Sequence, residues 1–342
     1  MATRVLLHLG LPKSGTTYLQ DVVWGNRETL AQQGLLYPGQ RRGLHRRASH
    51  AVQGRPGANV RAWERLLDEI RPWDGTALVS HESLGAASRE QAARVLADLA
   101  PAETHLVVTA RDFGALVPSV WQQRLKRGGT APLDAFEVPA DDGTMWSWRG
   151  LDPADVLDRW APDIPPERVH LIVSPPAGSG DNLLWRRFAT VCDVDPTSCE
   201  LHHARANTSL GAPSAELLRR VVSELGPEFS TAEVSRYWVK RRLADPVLAP
   251  LGGARLALHP AALPALQARA ERCIQRLRDA GYAVLGDLDE LRPAPGRDHA
   301  AAGVAPPTDE ELLDTATTAL ARLLASWRAE STGTGIDDPD DD

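Results

Sequence analysis

The sequence predicts an α/β protein in which a parallel β-sheet of about four to five strands is flanked by helices, with an all-helical C-terminal half. Short apolar runs alternate with helical segments over residues 4–195, and such alternation builds a mostly parallel sheet covered on both faces. The first run, 4–9, is bounded by Gly10, as expected of a buried parallel strand. Beyond Asp195 the strand pattern disappears.

The elements follow in order along the chain. A helix is expected over 16–33, because its apolar residues recur at helical spacing and Gly34 can end it. The stretch 41–57, rich in Arg, Gly and His, is expected to be a loop. The remaining predicted strands are 76–80, 104–110 and 169–174, and the remaining predicted helices are 60–70, 89–99, 113–127, 182–191, 213–225, 231–243 and 260–280.

The end of the chain has a different composition. From about residue 291 it is rich in Pro, Ala and Gly, which predicts a linker. An isolated helix is expected at 309–329, and the acidic tail 331–342 is expected to be disordered.

Composition argues against several classes of protein. Of the 342 residues 43% are hydrophobic, as in ordinary soluble proteins, and the net charge of -7 offers no basic field for nucleic acid. No signal peptide and no bilayer-long apolar stretch is recognised, so we expect a cytoplasmic protein without membrane insertion. Three cysteines without C-x-x-C spacing indicate a reducing compartment. The oligomeric state is left open.

A loop with two glycines follows the first strand and reads L-G-L-P-K-S-G-T-T. Gly10 and Gly15 have the spacing of the Walker A pattern, and Thr17 takes its Ser/Thr position. The lysine position holds Thr16 instead, and the lysine lies inside the loop as Lys13. Because glycines let N–H groups converge on an anion at the start of a helix, the sequence predicts a phosphate-binding loop.

The segment P-K-S-G-T-T resembles the 5′-phosphosulfate loop of sulfotransferases that use 3′-phosphoadenylyl sulfate (PAPS), especially bacterial members. Arg111 follows the strand 104–110 and Ser119 lies about two turns later, where this family holds the 3′-phosphate. The family's R-K-G run near the carboxyl end is missing, and the basic stretch 236–242 is a candidate replacement. The resemblance implies that PAPS is bound by Pro12, Lys13, Ser14, Gly15, Thr16, Thr17, Arg111 and Ser119.

The resemblance, which covers about 4–195, implies a P-loop-like three-layer sandwich and a domain organisation. We expect one sulfotransferase-like domain over 1–290, with its nucleotide-binding core at 4–195 and a helical substrate or cap part at 196–290. Sulfuryl transfer to a hydroxyl or amine, like phosphoryl transfer, depends on positioning and charge stabilisation. Lys13 would meet the charge on the leaving oxygen, and no metal is required.

The acceptor needs a base that takes its proton, and the candidates lie in S-H-E-S, residues 80–83, at the end of the predicted strand 76–80. His81 and Glu82 lie where ligands bind a parallel sheet, and strand alternation points them in opposite directions. The family uses either residue type. Glu82 is favoured because bacterial relatives tend to carry S-x-E here; the alternative is that Glu82 only caps the next helix. Among the other histidines, His8 is expected in the core or behind the site. His45 and His50 could touch substrate, although exposure to solvent is favoured.

Two other interpretations stay open. A P-loop kinase or NTPase is disfavoured by Thr16 in the lysine position and by Arg111 where a Walker B strand would end in Asp. A non-catalytic nucleotide-binding protein of the same fold is the other. No motif identifies the acceptor, whether small molecule or glycan, and its specificity is expected to lie in 35–59, 128–150 and the helical second half.

Overall fold

The computed structural model describes residues 2–176, 179–180, 182–201, 209–229, 231–293 and 306–333. The chain divides into two compact units. The first unit draws its residues from 1–116, 137–206 and 261–297, and the second from 117–136, 207–260 and 298–342.

The first unit is built on a six-stranded parallel sheet, which confirms the predicted fold class. Every neighbouring pair of strands is parallel. The order in the sheet is β2-β3-β1-β4-β5-β6, with β1 in the interior between β3 and β4. The strands are β1 (Arg4–His8), β2 (Leu35–Leu36), β3 (Thr76–Ser80), β4 (Glu103–Ala110), β5 (Val169–Val173) and β6 (Ala283–Leu285).

Apolar residues of the central strands form the core of this unit. Val5, Leu6 and Leu7 in β1 have no exposed surface, as a strand covered on both faces requires. Leu6 belongs to a buried cluster that also includes Leu19 of the first helix and Phe188 of a later one. The helices that alternate with the strands along the sequence therefore pack against the sheet.

Two edge strands were not predicted. β2 and β6 contain two and three residues, too few to display a period in the sequence. β6 also corrects the expectation that the C-terminal half is entirely helical. Tertiary pairing creates it: Leu171 of β5 is registered with Val284.

One helix prediction and one loop prediction were wrong in detail. The expected helix 16–33 is broken at Asn26, whose side-chain amide donates to the carbonyls of Val22 and Glu200, both at 2.8 Å. The expected loop 41–57 contains a nine-residue helix, Leu44–Val52. Its buried face includes His45 and Ser49, so no apolar stripe announces it in the sequence.

Helices of the first unit surround the sheet and connect its strands. They are α1 (Thr16–Gly25), α2 (Arg27–Gln32), α3 (Leu44–Val52), α4 (Arg61–Ile70), α5 (Arg89–Leu99), the start of α6 (Phe113–Leu125), α7 (Trp148–Leu151), α8 (Pro153–Trp160), α9 (Leu183–Cys192) and α12 (Leu263–Asp279). Short 3-10 helices add Glu82–Ala86, Pro166–Arg168, Pro196–Ser198 and Leu288–Leu291.

The described part of the second unit is helical. It contains the rest of α6, α10 (Ala212–Glu224), α11 (Ala232–Val234), a π-helix over Ser235–Leu248 and α13 (Asp309–Gly333). α13 is not isolated, because its Ala319 is buried in one core cluster with Leu218 of α10 and Val239 of the π-helix. It also extends to Gly333, so the predicted disordered tail cannot begin at 331.

Some predictions fall on residues that are not described. The predicted linker lies largely in 294–305, and most of the predicted tail lies in 334–342, both outside the described residues. No helix in the described ranges has the length and apolarity needed to cross a membrane.

Candidate functional site

The interior position of β1 creates a site at the carboxyl edge of the sheet. The chain leaves β1 toward β2 and β3 on one side, whereas it leaves β4 toward β5 on the other. Such a switch in direction opens the crevice where open α/β sheets bind ligands. The loop after β1, His81 and Glu82 after β3, and Arg111 after β4 all belong to this edge.

The loop between β1 and α1 has an unusual backbone. Gly10, Lys13 and Gly15 have φ values of 93°, 66° and 90°. A left-handed lysine is uncommon, and such residues persist where the surrounding structure imposes them, often at functional sites. Lys13 is exposed, and it lies in the loop at the carboxyl edge of the sheet.

The hydroxyl groups of Ser14 and Thr16 point inward. Ser14 Oγ donates to Leu11 O at 2.6 Å, and Thr16 Oγ1 donates to the same carbonyl at 2.8 Å. Ser14 Oγ also lies 2.6 Å from Thr109 Oγ1 of β4. Both residues are buried. Their side chains therefore fix the shape of the loop, and its exposed residues are Lys13 and Thr17.

The start of α1 completes an anion-binding geometry. Gly15 is its N-cap in a left-handed conformation, and no side chain caps the helix there. The first N–H groups of a helix have no carbonyl partner within the helix, and the dipole favours negative charge at this end. The backbone around Gly15, Thr16 and Thr17 is thus suited to phosphate or sulfate oxygens.

Arg111 lies beside the loop. Its Nη1 donates to the carbonyl of Lys13 at 3.2 Å, and the residue keeps part of its surface exposed. The contact brings two predicted site residues together across 98 positions of sequence. Ser119 is on α6 but belongs to the second unit, so its joint action with Arg111 stays a prediction.

Glu82 is at the same edge and touches the loop. A Cβ atom placed on Gly10 would lie 2.6 Å from Cβ of Glu82, so the two backbones approach as closely as glycine allows. Glu82 is half-buried. Gln20 of α1 lies with its Nε2 3.5 Å from Glu82 Oε2 and donates to the Ser80 carbonyl at 3.2 Å.

His81 occupies a different environment. It is 9% exposed, and its Nδ1 accepts from the backbone N–H of Ser83 at 3.1 Å, which caps the 3-10 helix Glu82–Ala86. Burial lowers the pKa of His81, and Arg46 and Arg55 act in the same direction, whereas Glu82 opposes them. The neutral imidazole thus serves as a cap, while the adjacent carboxylate keeps solvent access.

A buried polar chain beneath the loop was only partly predicted. His8 lies in the core, as one alternative held, with Nδ1 2.8 Å from Ser80 Oγ and Nε2 3.3 Å from Thr109 Oγ1. Burial lowers the pKa of His8 to about 3. Thr109 continues the chain to Ser14, and Ser80 Oγ accepts from Gln20 at 3.2 Å. These hydrogen bonds therefore link the loop after β1 to the side of the site where Glu82 lies.

Ser174 was missed by sequence reasoning. It follows β5, and its Oγ donates to the carbonyl of Ser14 at 2.7 Å. A hydroxyl at the carboxyl end of an inner strand is a signal that the sequence did contain. Its contact braces the loop from the side opposite β3.

His45 and His50 lie on α3 rather than in a loop. His45 is buried, which corrects its expected exposure: Nε2 donates to Pro38 O at 2.7 Å and Nδ1 accepts from Ser80 N at 3.2 Å. His50 is half-buried beside His81, with 6.4 Å between the ring centroids.

Comparison with known proteins identifies no family. No family model matches the chain, and neither a curated protein nor a solved structure matches it. The functional assignment therefore depends on the residues and geometry of the site.

Proposed function

We propose that the chain is a sulfotransferase that moves a sulfuryl group from PAPS to a hydroxyl or amine of an acceptor. The observation that carries the proposal is the loop itself. Lys13 is exposed at a left-handed position between Gly10 and Gly15, and its carbonyl is bound by Arg111 from the neighbouring strand. Two cations and a helix start thus converge at one edge of the sheet.

The residues at this edge fit the cofactor. The backbone at Gly15, Thr16 and Thr17 suits the 5′-phosphosulfate, with Lys13 above it. Arg111 suits a second phosphate because a guanidinium pairs with phosphate through two parallel hydrogen bonds. PAPS carries both groups, whereas most nucleotides have a single phosphate chain. PAPS, when bound, supplies the sulfuryl group.

Each protein group has a role that its position supports. Lys13 and the loop N–H groups stabilise negative charge at the departing oxygen, a contribution worth about 10²–10³ in rate for one preorganised donor. Glu82 accepts the acceptor's proton. Gln20, whose Nε2 lies 3.5 Å from Glu82 Oε2, orients that carboxylate. The buried hydrogen bonds through His8 hold the loop and the residues around Glu82 in fixed relative positions.

The position of Thr16 supports this proposal over an ATP-dependent kinase. In a Walker A loop this position carries the lysine that reaches the terminal phosphates. Here Thr16 is buried and its hydroxyl donates to Leu11 O at 2.8 Å. Lys13 is the cation that the loop presents, from within its turn.

The experiment is label transfer from PAPS carrying a radioactive sulfur atom, with host-cell extract as the source of acceptors. Wild-type protein should transfer label to a discrete product. Lys13→Ala, which lacks the ammonium group, should not. Equal labelling by both proteins would contradict the proposed role of the loop.

A further inference from the structure

A basic segment lies beside Glu82 and is not used by the chemistry described above. The segment comprises α3 and the turn after it, residues 44–55, and is called here the arginine turn. Gln53 Nε2 donates to the carbonyl of Ser83, and Gln91 Nε2 donates to the carbonyl of Gln53 at 3.1 Å. Side-chain contacts thus attach the arginine turn directly to the 3-10 helix that begins at Glu82.

Arg55 is the central charge of this segment. Its guanidinium is half-buried, Nε donates to Gln53 Oε1 at 2.6 Å, and Nη1 lies 3.4 Å from His50 Nε2. Its partners there are thus an amide and an imidazole, both neutral. Within the described ranges no carboxylate lies within ion-pair distance of Arg55. Partial burial of a cation without a counter-ion is costly, and an anionic ligand would offset that cost.

The surroundings of Arg55 are positively charged. Arg46 lies on the same helix, and its side chain is exposed. Burial lowers the pKa of His50 to about 4, with Arg55, Arg46 and His81 all acting in the same direction. His50 is therefore a neutral group at physiological pH, in contact with Arg55 on one side and with its ring centroid 6.4 Å from that of His81.

We propose that Arg55, supported by Arg46 and His50, forms an anion-binding subsite beside the 3-10 helix Glu82–Ala86 that selects acceptors bearing a carboxylate or a sulfate ester. That the ligand is an acceptor rests on the proposed sulfotransferase function. The existence of an anion site does not depend on that function. A charged group held by Arg55 would keep the rest of such a molecule near the 3-10 helix whose first residue is Glu82. Neutral acceptors of the same shape would lack this anchor.

The test uses inorganic sulfate and acetate as probes of the two anion types, with the full-length protein. The readout is the NMR signal of the His50 ring, because His50 lies beside the Arg55 guanidinium. Saturating adenosine 3′,5′-bisphosphate keeps the probes out of the phosphate loop. We expect at least one probe to shift the His50 signal in a saturable way and to raise its pKa. The rings of His105 and His170, near the starts of β4 and β5, are internal references and should not respond.

Variants test whether the arginines cause this response. Arg55→Gln should weaken the binding of the probe about tenfold or more, as loss of a charge-assisted hydrogen bond predicts. Arg55→Lys should recover part of the affinity. Arg46→Gln changes an exposed residue and should weaken binding less, which keeps the test decisive if Arg55→Gln fails to fold. Arg168→Gln, at the opposite edge of the sheet, is the matched control and should behave as wild type.

Several results would overturn the subsite. They are a His50 signal that neither probe shifts, a shift shared equally by His105, and an affinity that the Arg55 and Arg46 variants leave unchanged. The same titration without the bisphosphate separates this inference from the proposed function. If the bisphosphate does not bind but sulfate still shifts His50 in an Arg55-dependent way, the sulfotransferase proposal fails and the anion subsite stands.

Discussion

Gly10 and Glu82 are in backbone contact: a Cβ atom on Gly10 would lie 2.6 Å from Cβ and 2.8 Å from Cα of Glu82. Gly10 also has φ +93°, which disfavours any L side chain. Gly10→Ala should therefore lose more stability than its left-handed backbone conformation alone explains, because the added Cβ atom must also displace Glu82. Gly34→Ala is the control, because Gly34 has φ +86° and a Cβ atom added there would meet nothing within 4 Å.

Urea unfolding of both variants separates the two effects. A left-handed alanine costs about 1–2 kcal/mol, and this is the loss expected for Gly34→Ala. Gly10→Ala should lose measurably more than Gly34→Ala and should also lower turnover. Equal losses would show that the contact between the loop and Glu82 carries no strain.

Arg111→Ala should weaken binding of adenosine 3′,5′-bisphosphate far more than binding of adenosine 5′-phosphosulfate, which lacks the 3′-phosphate. A charge-assisted hydrogen bond is worth about 1.5–3 kcal/mol, which corresponds to a loss of about ten- to a hundredfold. Calorimetric titration of both ligands measures it. Arg168→Ala, whose arginine pairs with Glu103, should leave both affinities unchanged. Equal weakening of the two ligands by Arg111→Ala would mean that Arg111 only supports the loop through Lys13 O.

Glu82→Gln should preserve the fold and cofactor affinity but lower turnover by about 10²–10⁴, the usual contribution of a general base. The amide is nearly isosteric, and Glu82 keeps solvent access. His81→Asn should act mainly on stability, because His81 Nδ1 accepts from Ser83 N. Turnover, measured as the rate at which adenosine 3′,5′-bisphosphate is produced, and stability, measured by urea unfolding, distinguish the two variants. If His81→Asn lowered turnover more than Glu82→Gln does, His81 and not Glu82 would be the base.

The buried His8 ring should make the free energy of unfolding depend on pH. Its pKa is lowered from 6.5 to about 3 by burial, so the folded state favours the neutral ring. The stabilisation is complete above about pH 6.5 and is lost as the pH falls toward 3, by about 1.4 kcal/mol per pH unit. His8→Gln, which cannot be protonated, should flatten this acid limb. Unfolding free energies at several pH values test it, and an unchanged slope in the variant would contradict the assignment.

The central fold was accessible from sequence because its strands are apolar runs bounded by glycine or polar residues. β3 was predicted with its observed bounds, Thr76–Ser80. The break after α1 was not accessible, because Asn26 there bonds to Glu200, 174 positions away. α3 was missed since its buried face carries His45 and Ser49 in place of an apolar stripe.

The site was accessible only in part, for a similar reason. The loop of Lys13 is a contiguous motif, and Arg111 and Glu82 follow predicted strands. The buried chain joins His8 to Ser80 and Thr109, which lie 72 and 101 positions further along the chain. Such contacts depend on strand register, which a single sequence does not encode locally.

The most direct measurement compares adenosine 3′,5′-bisphosphate with ATP as stabilising ligands in thermal unfolding. The bisphosphate should raise the melting temperature, since a ligand at 100 times its Kd adds about 2.7 kcal/mol to the stability of the folded state. Lys13→Ala and Arg111→Ala should each reduce this rise, and ATP at the same concentration should give a smaller one. ATP stabilising the wild-type protein as well as or better than the bisphosphate would contradict the proposed sulfotransferase function.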